Sequence, residues 1–195
     1  PGVDGCEREP MEDLLGLRGA GFCNMNLNGV MMSADQHLKG SSAGWSAITK
    51  VIDTARLGAA AVSLGVARGA IAHALEYSSQ RKAFGRSIDR FGAIRAMHAE
   101  AATAVEGARL LLWRAAGLVD AGKSAGREVS MANLVAKQAS YKATRDAVQI
   151  LGGNGYSREY PVERAYRDVQ ALVPFGGGED LQKILVARSM TGVRS

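Results

Sequence analysis

The sequence predicts a mainly α-helical protein: a four-helix-bundle-like, up-down arrangement of long helices preceded by a short β segment. Aromatic residues make up only 6% of its 195 residues, while alanine and glycine are abundant, which favours close helix packing over a β-sandwich. From Gly44 onward, apolar residues recur at steps of three and four, the period of a helix with one buried face. Before Gly44 the chain is rich in Gly, Asn, Met and Asp.

The β segment is predicted from alternation. Residues 22–30 alternate apolar and polar side chains, which is typical of a half-buried strand, with Asn28-Gly29 as a turn. A pair of strands is not stable alone, so we expect residues 1–43 to be the end of an incomplete β-domain and residues 44–195 to be a helical domain. The start at Pro1, without Met or a signal peptide, favours a fragment or a processed chain.

The helices follow from periodicity and from their breakers. The second helix has the clearest apolar seam, and the turn at residues 120–122 ends it. Glycines end the third helix, and Pro161 is a good first-turn residue for a short fourth one. We predict helices at residues 45–77, 94–119, 127–150, from Pro161 onward, and 179–190.

Charge and composition exclude several classes of protein. The net charge of +5 is spread along the chain, which indicates solvated helix faces or affinity for an anionic cofactor or substrate. Nucleic acid is not expected, because there is no basic run and no aromatic-basic alternation. The sequence has no run of about 18 apolar residues, so we do not expect a membrane span. Cys6, Cys23 and the scattered histidines lack metal-ligand spacing, so we expect no metal, reduced thiols and a cytoplasmic location.

Three motifs carry candidate chemistry, and each also has a purely structural interpretation. In residues 81–85, an arginine beside a phenylalanine can bind phosphate and cover a flat group, but the run also suits a helix C-terminus. In residues 149–156, glycines allow close approach to a ligand, but they also suit a helix stop. The mixed charges of residues 161–168 indicate a solvated face or internal ion pairs.

Taken in order, Arg-x-x-Phe-Gly, Gln-Ile-x-Gly-Gly-x-Gly-Tyr and Pro-x-Glu-Arg-x-x-Arg-Asp, then a glycine loop and a last helix, resemble the acyl-CoA dehydrogenase family. Residues 15–19 resemble a run in its middle β-domain, and residues 44–195 resemble its C-terminal helical domain. The resemblance implies FAD, an acyl-CoA or acyl-carrier thioester, a dimer or tetramer of identical or related subunits that share FAD sites, and a separate electron acceptor. It also implies α,β-dehydrogenation, in which a carboxylate removes the α-proton and flavin accepts the β-hydride.

The resemblance assigns roles to particular positions. Arg56 and Gly177 fall at the substrate site. Residues that would contact an FAD bound mainly by a neighbouring subunit are Arg81, Phe84, Gln149, Gly152 and Gly153.

The catalytic base is where the sequence departs from the family. The usual glutamate position is occupied by Gly176, and the alternative position in the first long helix by Ala55. Glu179 is the candidate substitute, although a carboxylate in the first turn of a helix is also favoured by the helix dipole. Asp53 is a weaker candidate. Gly92 also stands where many members have a flavin-contacting glutamine.

The missing carboxylate leaves three functions open. The chain can be an active dehydrogenase with an unusual base. It can be a non-catalytic partner subunit that completes the FAD sites of an active homologue. It can also be a flavin monooxygenase on the same fold, which needs no carboxylate at that position.

Overall fold

The computed structural model describes residues 3–36 and 44–192, and within these ranges it is mainly α-helical. Pro1 and residue 43, on which the predicted start and domain boundary depend, lie outside the described residues. Two short antiparallel strand pairs accompany the helices. The elements are β1 (Cys6–Pro10), β2 (Cys23–Leu27), α1 (Trp45–Gln80), β3 (Lys82–Ala83), β4 (Arg86–Ser87), α2 (Gly92–Asp120), α3 (Gly126–Leu151), α4 (Pro161–Leu172) and α5 (Glu179–Thr191).

The helix boundaries lie within three residues of the predicted ones, because the predicted breakers act as expected. Gly122 adopts a left-handed φ of 67°, and its N–H bonds to the carbonyl oxygen of Val119 at 2.9 Å. This closes α2, since glycine has no Cβ to oppose that conformation. Pro161 occupies the first turn of α4, where its missing N–H is not needed.

Helices α1 and α3 run parallel and in register. The Asn133 amide donates to the carbonyl oxygen of Arg56, and the Asn154 amide donates to the Tyr77 hydroxyl, both at 2.9 Å. Each pair is separated by 77 residues. Because the two contacts have the same separation in sequence, the two helices must run parallel and stay in register between them.

Helix α2 runs antiparallel to α3. Lys142 pairs with Glu100 at one end of the two helices, and Arg114 lies 3.9 Å from Glu128 at the other. Helix α4 packs on α1 and α3, and α5 packs on α3. The short helices therefore complete the predicted bundle-like arrangement around three long ones.

The core of the bundle is made mainly of alanine. On α1 and α2, buried alanines recur every seventh residue, which keeps them on one face of each helix. Small side chains allow the helices to approach closely, so the core is thin and densely packed. The buried alanines are Ala59, Ala60, Ala67, Ala70 and Ala74 on α1, of which Ala60, Ala67 and Ala74 form the seven-residue series, Ala101, Ala108 and Ala115 on α2, and Ala132, Ala136, Ala139, Ala143 and Ala147 on α3.

Helix α1 is long and apolar enough, by length and composition alone, to cross a membrane between Ala47 and Gln80. The sequence analysis expected no membrane span, because α1 has no unbroken apolar run. Its alanines and glycines nevertheless raise the average hydropathy of the helix. In the fold, α1 packs against α2, α3 and α4, which is the position of a core helix in a bundle.

The β segment forms a two-stranded ladder, as predicted, but β2 is not half-buried among the described residues. All five residues of β2 are exposed, and among the described residues β2 pairs only with β1. Among the residues that the structure describes, none covers either face of the ladder, so the side chains of β2 stay exposed. Cys6 and Cys23 lie at opposite ends of the ladder, and both are free thiols.

The connection between β1 and β2 docks on α4. The Leu17 N–H donates to Asp168 Oδ1, and Arg167 donates to the carbonyl oxygen of Leu15, both at 2.7 Å. A Cβ on Gly16 would overlap the carbonyl group of Arg167, so the backbones touch at this point. Two of the sequence motifs therefore meet, and the charges of α4 serve partly as internal ion pairs, such as Glu163 with Arg167.

Candidate functional site

A loop of glycines connects α4 to α5 at one end of the bundle. We call residues 174–178 the glycine loop. Gly176 and Gly177 have φ angles of 72° and 100°, in the region that favours glycine. A Cβ on Gly176 would lie 2.8 Å from Cγ of Arg56. A glutamate at this position would therefore require a different loop conformation.

Donors from α1 and α5 bind the centre of the glycine loop. Arg56 is only 9% exposed, and its Nε donates to the carbonyl oxygen of Gly176 at 2.7 Å. The Gln182 amide donates to the same oxygen at 3.0 Å. Arg56 also pairs with Asp53 at 2.9 Å, which fixes the guanidinium from its other side.

A lysine from α3 binds the two residues that flank Gly176. Lys137 is fully buried, and its Nζ donates to the carbonyl oxygens of Phe175 at 2.6 Å and Gly177 at 3.0 Å. Burial, and secondarily the charge of Arg56, lower the pKa of Lys137 from 10.5 to about 8, while Glu179 acts in the opposite direction. The ammonium is therefore still the main form at neutral pH.

Both candidate bases are engaged by other side chains. Glu179 Oε2 accepts a hydrogen bond from the Gln138 amide at 3.0 Å and lies 3.7 Å from Lys183 Nζ. Asp53 is committed to Arg56. In this conformation neither Glu179 nor Asp53 is free of a partner, and Glu179 would have to leave Gln138 to act as a base.

A groove opens beside this site, between the first turns of α1 and the connection from α2 to α3. Its volume is about 590 Å³. Asp53 lines the groove and bonds to Arg56, so the groove reaches the edge of the glycine-loop site. Lys50 and Lys123 line it from opposite sides, which gives it two cationic groups.

The predicted cofactor residues lie together at the other end of the bundle. Arg81 follows α1, Gln149 lies in the last turn of α3, and both are exposed. Phe84 is 96% exposed and has a φ of 51°, an unfavourable conformation for a residue with a Cβ. Gly152, with a φ of 59°, ends α3 beside Gln149. The hydrogen bond of Asn154 to Tyr77 joins these two segments.

Residues 42–191 match the acyl-CoA dehydrogenase C-terminal domain. The chain belongs to the acyl-CoA dehydrogenase family. Acyl-CoA dehydrogenases are FAD-dependent oxidoreductases.

Relatives in this family act on several thioesters. Subunit CarC of the caffeyl-CoA reductase-Etf complex of Acetobacterium woodii is 38% identical over 176 residues, which cover 90% of this chain and 46% of CarC. The mitochondrial short-chain specific acyl-CoA dehydrogenase of Bos taurus is 38% identical, with 90% of this chain and 43% of the relative covered. Butyryl-CoA dehydrogenase of Megasphaera elsdenii superposes with a TM-score of 0.92 at 32% identity, covering 97% of this chain and 49% of that one. The chain spans about half the length of the relatives it matches.

Sequence reasoning missed Lys137, Asn133 and Gln182, which lie around Arg56 and the glycine loop. A signal for the first two was present. Beside the alanine stripe of α3 runs a second stripe of polar residues at alternating steps of three and four, all buried. Polar side chains with a helical period on a buried face indicate an internal polar network. The stripe consists of Ser130, Asn133, Lys137, Ser140 and Thr144.

Proposed function

We propose that the chain is part of a FAD-dependent oxidoreductase that acts on the CH–CH group of an acyl thioester and removes hydrogen from the α and β carbons. The observation that carries the proposal is the hydrogen bond between Arg56 and Gly176. The two residues are 120 positions apart and bond at 2.7 Å. They occupy the positions that the resemblance assigns to an active-site arginine and to the catalytic base, and matching motifs alone would not require that contact.

The residues at the far end of the bundle suit a flat dinucleotide. We infer that Arg81 pairs with a phosphate of FAD and that the exposed ring of Phe84 covers a flat part of it. Gln149 offers an amide, and the backbone at Gly152 and Gly153 can approach closely. FAD supplies the acceptor for the β-hydride; the chain's own residues bind and orient it.

The distance between the two ends supports an oligomer. Arg56 and Arg81 are separated by roughly 37 Å along the helix direction, at 1.5 Å per residue. The thioester site at the Arg56 end and the FAD contacts at the Arg81 end therefore belong to different active sites. We infer a dimer or tetramer in which Arg81 and Phe84 of one subunit complete the FAD site of the next.

The groove beside Arg56 is the proposed thioester site. Lys50 and Lys123 on its walls suit the phosphates of CoA or of a carrier's phosphopantetheine. Asp53, bonded to Arg56 at 2.9 Å, links the groove to the glycine loop. We further propose a cytoplasmic location, supported by the two free thiols, and a separate protein as electron acceptor.

The test is anaerobic mixing of the full-length, FAD-loaded protein with a panel of acyl-CoAs, followed at the long-wavelength absorbance of oxidised flavin. We expect bleaching by at least one acyl-CoA, since hydride transfer reduces the flavin. A Lys123→Ala variant should bind the acyl-CoA more weakly, so its half-saturating concentration should rise while the limiting rate stays unchanged. Retained FAD with no bleaching by any thioester would contradict the proposed activity.

One observation favours a second candidate, the non-catalytic partner subunit. Gly176 carries no carboxylate, and Glu179 is held by Gln138 and Lys183. A partner subunit needs the FAD-contacting end but no base. Co-purification with a homologue that has the glutamate, and bleaching only by the mixed complex, would support this role. If a Glu179→Gln variant of the isolated protein loses bleaching, Glu179 is the base and the partner role is excluded.

A further inference from the structure

Lys137 occupies an unusual place for a charged side chain. It is fully buried on α3, yet no carboxylate forms an ion pair with it within residues 3–36 and 44–192. Its two acceptors are the carbonyl oxygens of Phe175 and Gly177, at 2.6 and 3.0 Å. These residues flank Gly176, so the charge lies directly behind the position where the family carries its base.

The glycine loop presents three consecutive carbonyl groups to the same cluster of donors. Lys137 binds those of Phe175 and Gly177, while Arg56 and Gln182 bind that of Gly176. Gln182 also reaches the carbonyl oxygen of Gly177 at 3.3 Å. All three groups therefore point inward, toward α1, α3 and α5.

The inward carbonyls fix the direction of the loop's N–H groups. In a planar trans peptide, the C=O and the following N–H point in opposite directions, so the N–H groups after these carbonyls point away from Lys137. The N–H of Gly177 closes a turn onto Pro174 at 3.1 Å. In the part of the chain that the structure describes, no group accepts a hydrogen bond from the N–H of Gly176 or of Gly178.

We propose that Lys137 is a positioning residue of the active site, which holds the glycine loop with its carbonyls inward and places a positive charge behind Gly176. The inference rests on the proposed function. It assigns Lys137 no proton transfer, because a fully buried Nζ cannot touch the thioester. Its effect is electrostatic: removal of the α-proton leaves negative charge on the thioester, and fixed positive charge nearby stabilises the state that carries it.

The charges that face Lys137 come from two elements, α1 and α5. Arg56 on α1 adds positive charge, and Asp53 partly balances it through the pair at 2.9 Å. Glu179 at the start of α5 contributes negative charge. The pKa of Lys137 is lowered to about 8, so the charge behind Gly176 changes as pH rises through that value.

The test uses the full-length, FAD-loaded protein in three forms: wild type, Lys137→Met and Lys137→Arg. Lys142→Met is the matched control, because Lys142 is on the same helix but pairs with Glu100 and Asp146 away from the loop. The first readout is hydrogen–deuterium exchange of the amides of residues 175–182. We expect exchange to be about tenfold faster or more in Lys137→Met, near wild type in Lys137→Arg, and unchanged in the control. Equal protection in Lys137→Met and wild type would overturn the positioning role.

The second readout is the rate of flavin reduction by the best acyl-CoA as a function of pH. We expect Lys137→Met to lower the limiting rate by about 10- to 100-fold, with the half-saturating concentration within about threefold. The wild-type rate should have a component that falls as pH rises through about 8, and Lys137→Met should lack it. The same pH profile in both proteins overturns the electrostatic role. If wild type is never reduced, the proposed function fails, and loop exchange still decides whether Lys137 positions the loop.

Discussion

At the scale of single residues, each of the two proposed sites holds a residue in an arrangement that costs stability. Lys137 is a fully buried charge, and burial disfavours a charged group unless it is well solvated by the protein. Phe84 holds an exposed ring on a backbone with a φ of 51°. Unfavourable residues of this kind cluster at functional sites, where the surrounding structure maintains them. They lie at opposite ends of the bundle, one at each proposed site.

The buried lysine predicts how stability depends on pH. The pKa of Lys137 is about 8 in the folded protein and 10.5 as the reference value. Between these values the unfolded chain holds a proton that the folded protein has released, so the free energy of unfolding rises with pH. The full difference corresponds to at most about 3 kcal/mol. Urea unfolding at pH 7 to 10 should show wild type gaining stability relative to Lys137→Met, and a constant difference would contradict this.

Phe84 allows the effect of its ring to be separated from the effect of its backbone. Phe84→Ala and Phe84→Gly both remove the ring, so both should lower FAD affinity by about tenfold, as expected for loss of one stacking contact. Glycine adopts the left-handed conformation freely, and Phe84→Gly should be about 1 kcal/mol more stable than Phe84→Ala. FAD titration and chemical unfolding measure the two effects. Full FAD affinity in both variants would remove Phe84 from the cofactor site.

At the scale of elements, local signals were enough to predict the helices. Periodicity, Pro161 and the glycines after α2 and α3 act within a few residues, so their effect can be read from the chain. The exposure of β2 could not be predicted, because burial of a strand face depends on what packs against it. The docking of residues 15–17 on α4 was equally hidden, since its hydrogen bonds join residues 151 and 152 positions apart.

The docking contact can be tested with a matched pair of glycines. Gly16→Ala places a Cβ against the carbonyl of Arg167, whereas a Cβ on Gly19 meets no atom within 4 Å. We expect Gly16→Ala to weaken docking of the β segment and to destabilise the protein by about 1–3 kcal/mol through overpacking. Gly19→Ala should be near neutral. Limited proteolysis between residues 11 and 22 measures the change, and similar cleavage rates in the two variants would show that the contact is dispensable.

At the scale of the whole molecule, the bundle separates two sets of functional residues. Motif order allowed the family, the cofactor and the residues at each end to be predicted from sequence. The sequence did not allow us to predict that the carbonyl groups of the glycine loop point inward or that Lys137 and Gln182 bind them. Both features depend on which helices surround the loop. The left-handed φ angles of Gly176 and Gly177 explain why a loop without a carboxylate can settle against Arg56.

The separation of the two ends predicts that FAD binding depends on oligomerisation. If Arg81 completes a neighbour's site, dilution to the point of dissociation should release FAD, and Arg81→Ala should release it at any concentration. Analytical ultracentrifugation with detection at the flavin absorbance distinguishes FAD bound to the oligomer from released FAD. Arg90→Ala, a nearby exposed arginine outside the predicted motif, is the control. FAD that stays bound to a monomer would contradict the shared site.

The register between α1 and α3 constrains how this chain can diverge. The same separation of 77 residues joins Arg56 to Asn133 and Tyr77 to Asn154. One inserted residue between these points, in either helix, would turn everything beyond it by about 100° and bring the polar stripe of α3 out of line with Arg56. Insertions and deletions should therefore be confined in evolution to the connections between helices, and the two long helices should change by substitution alone.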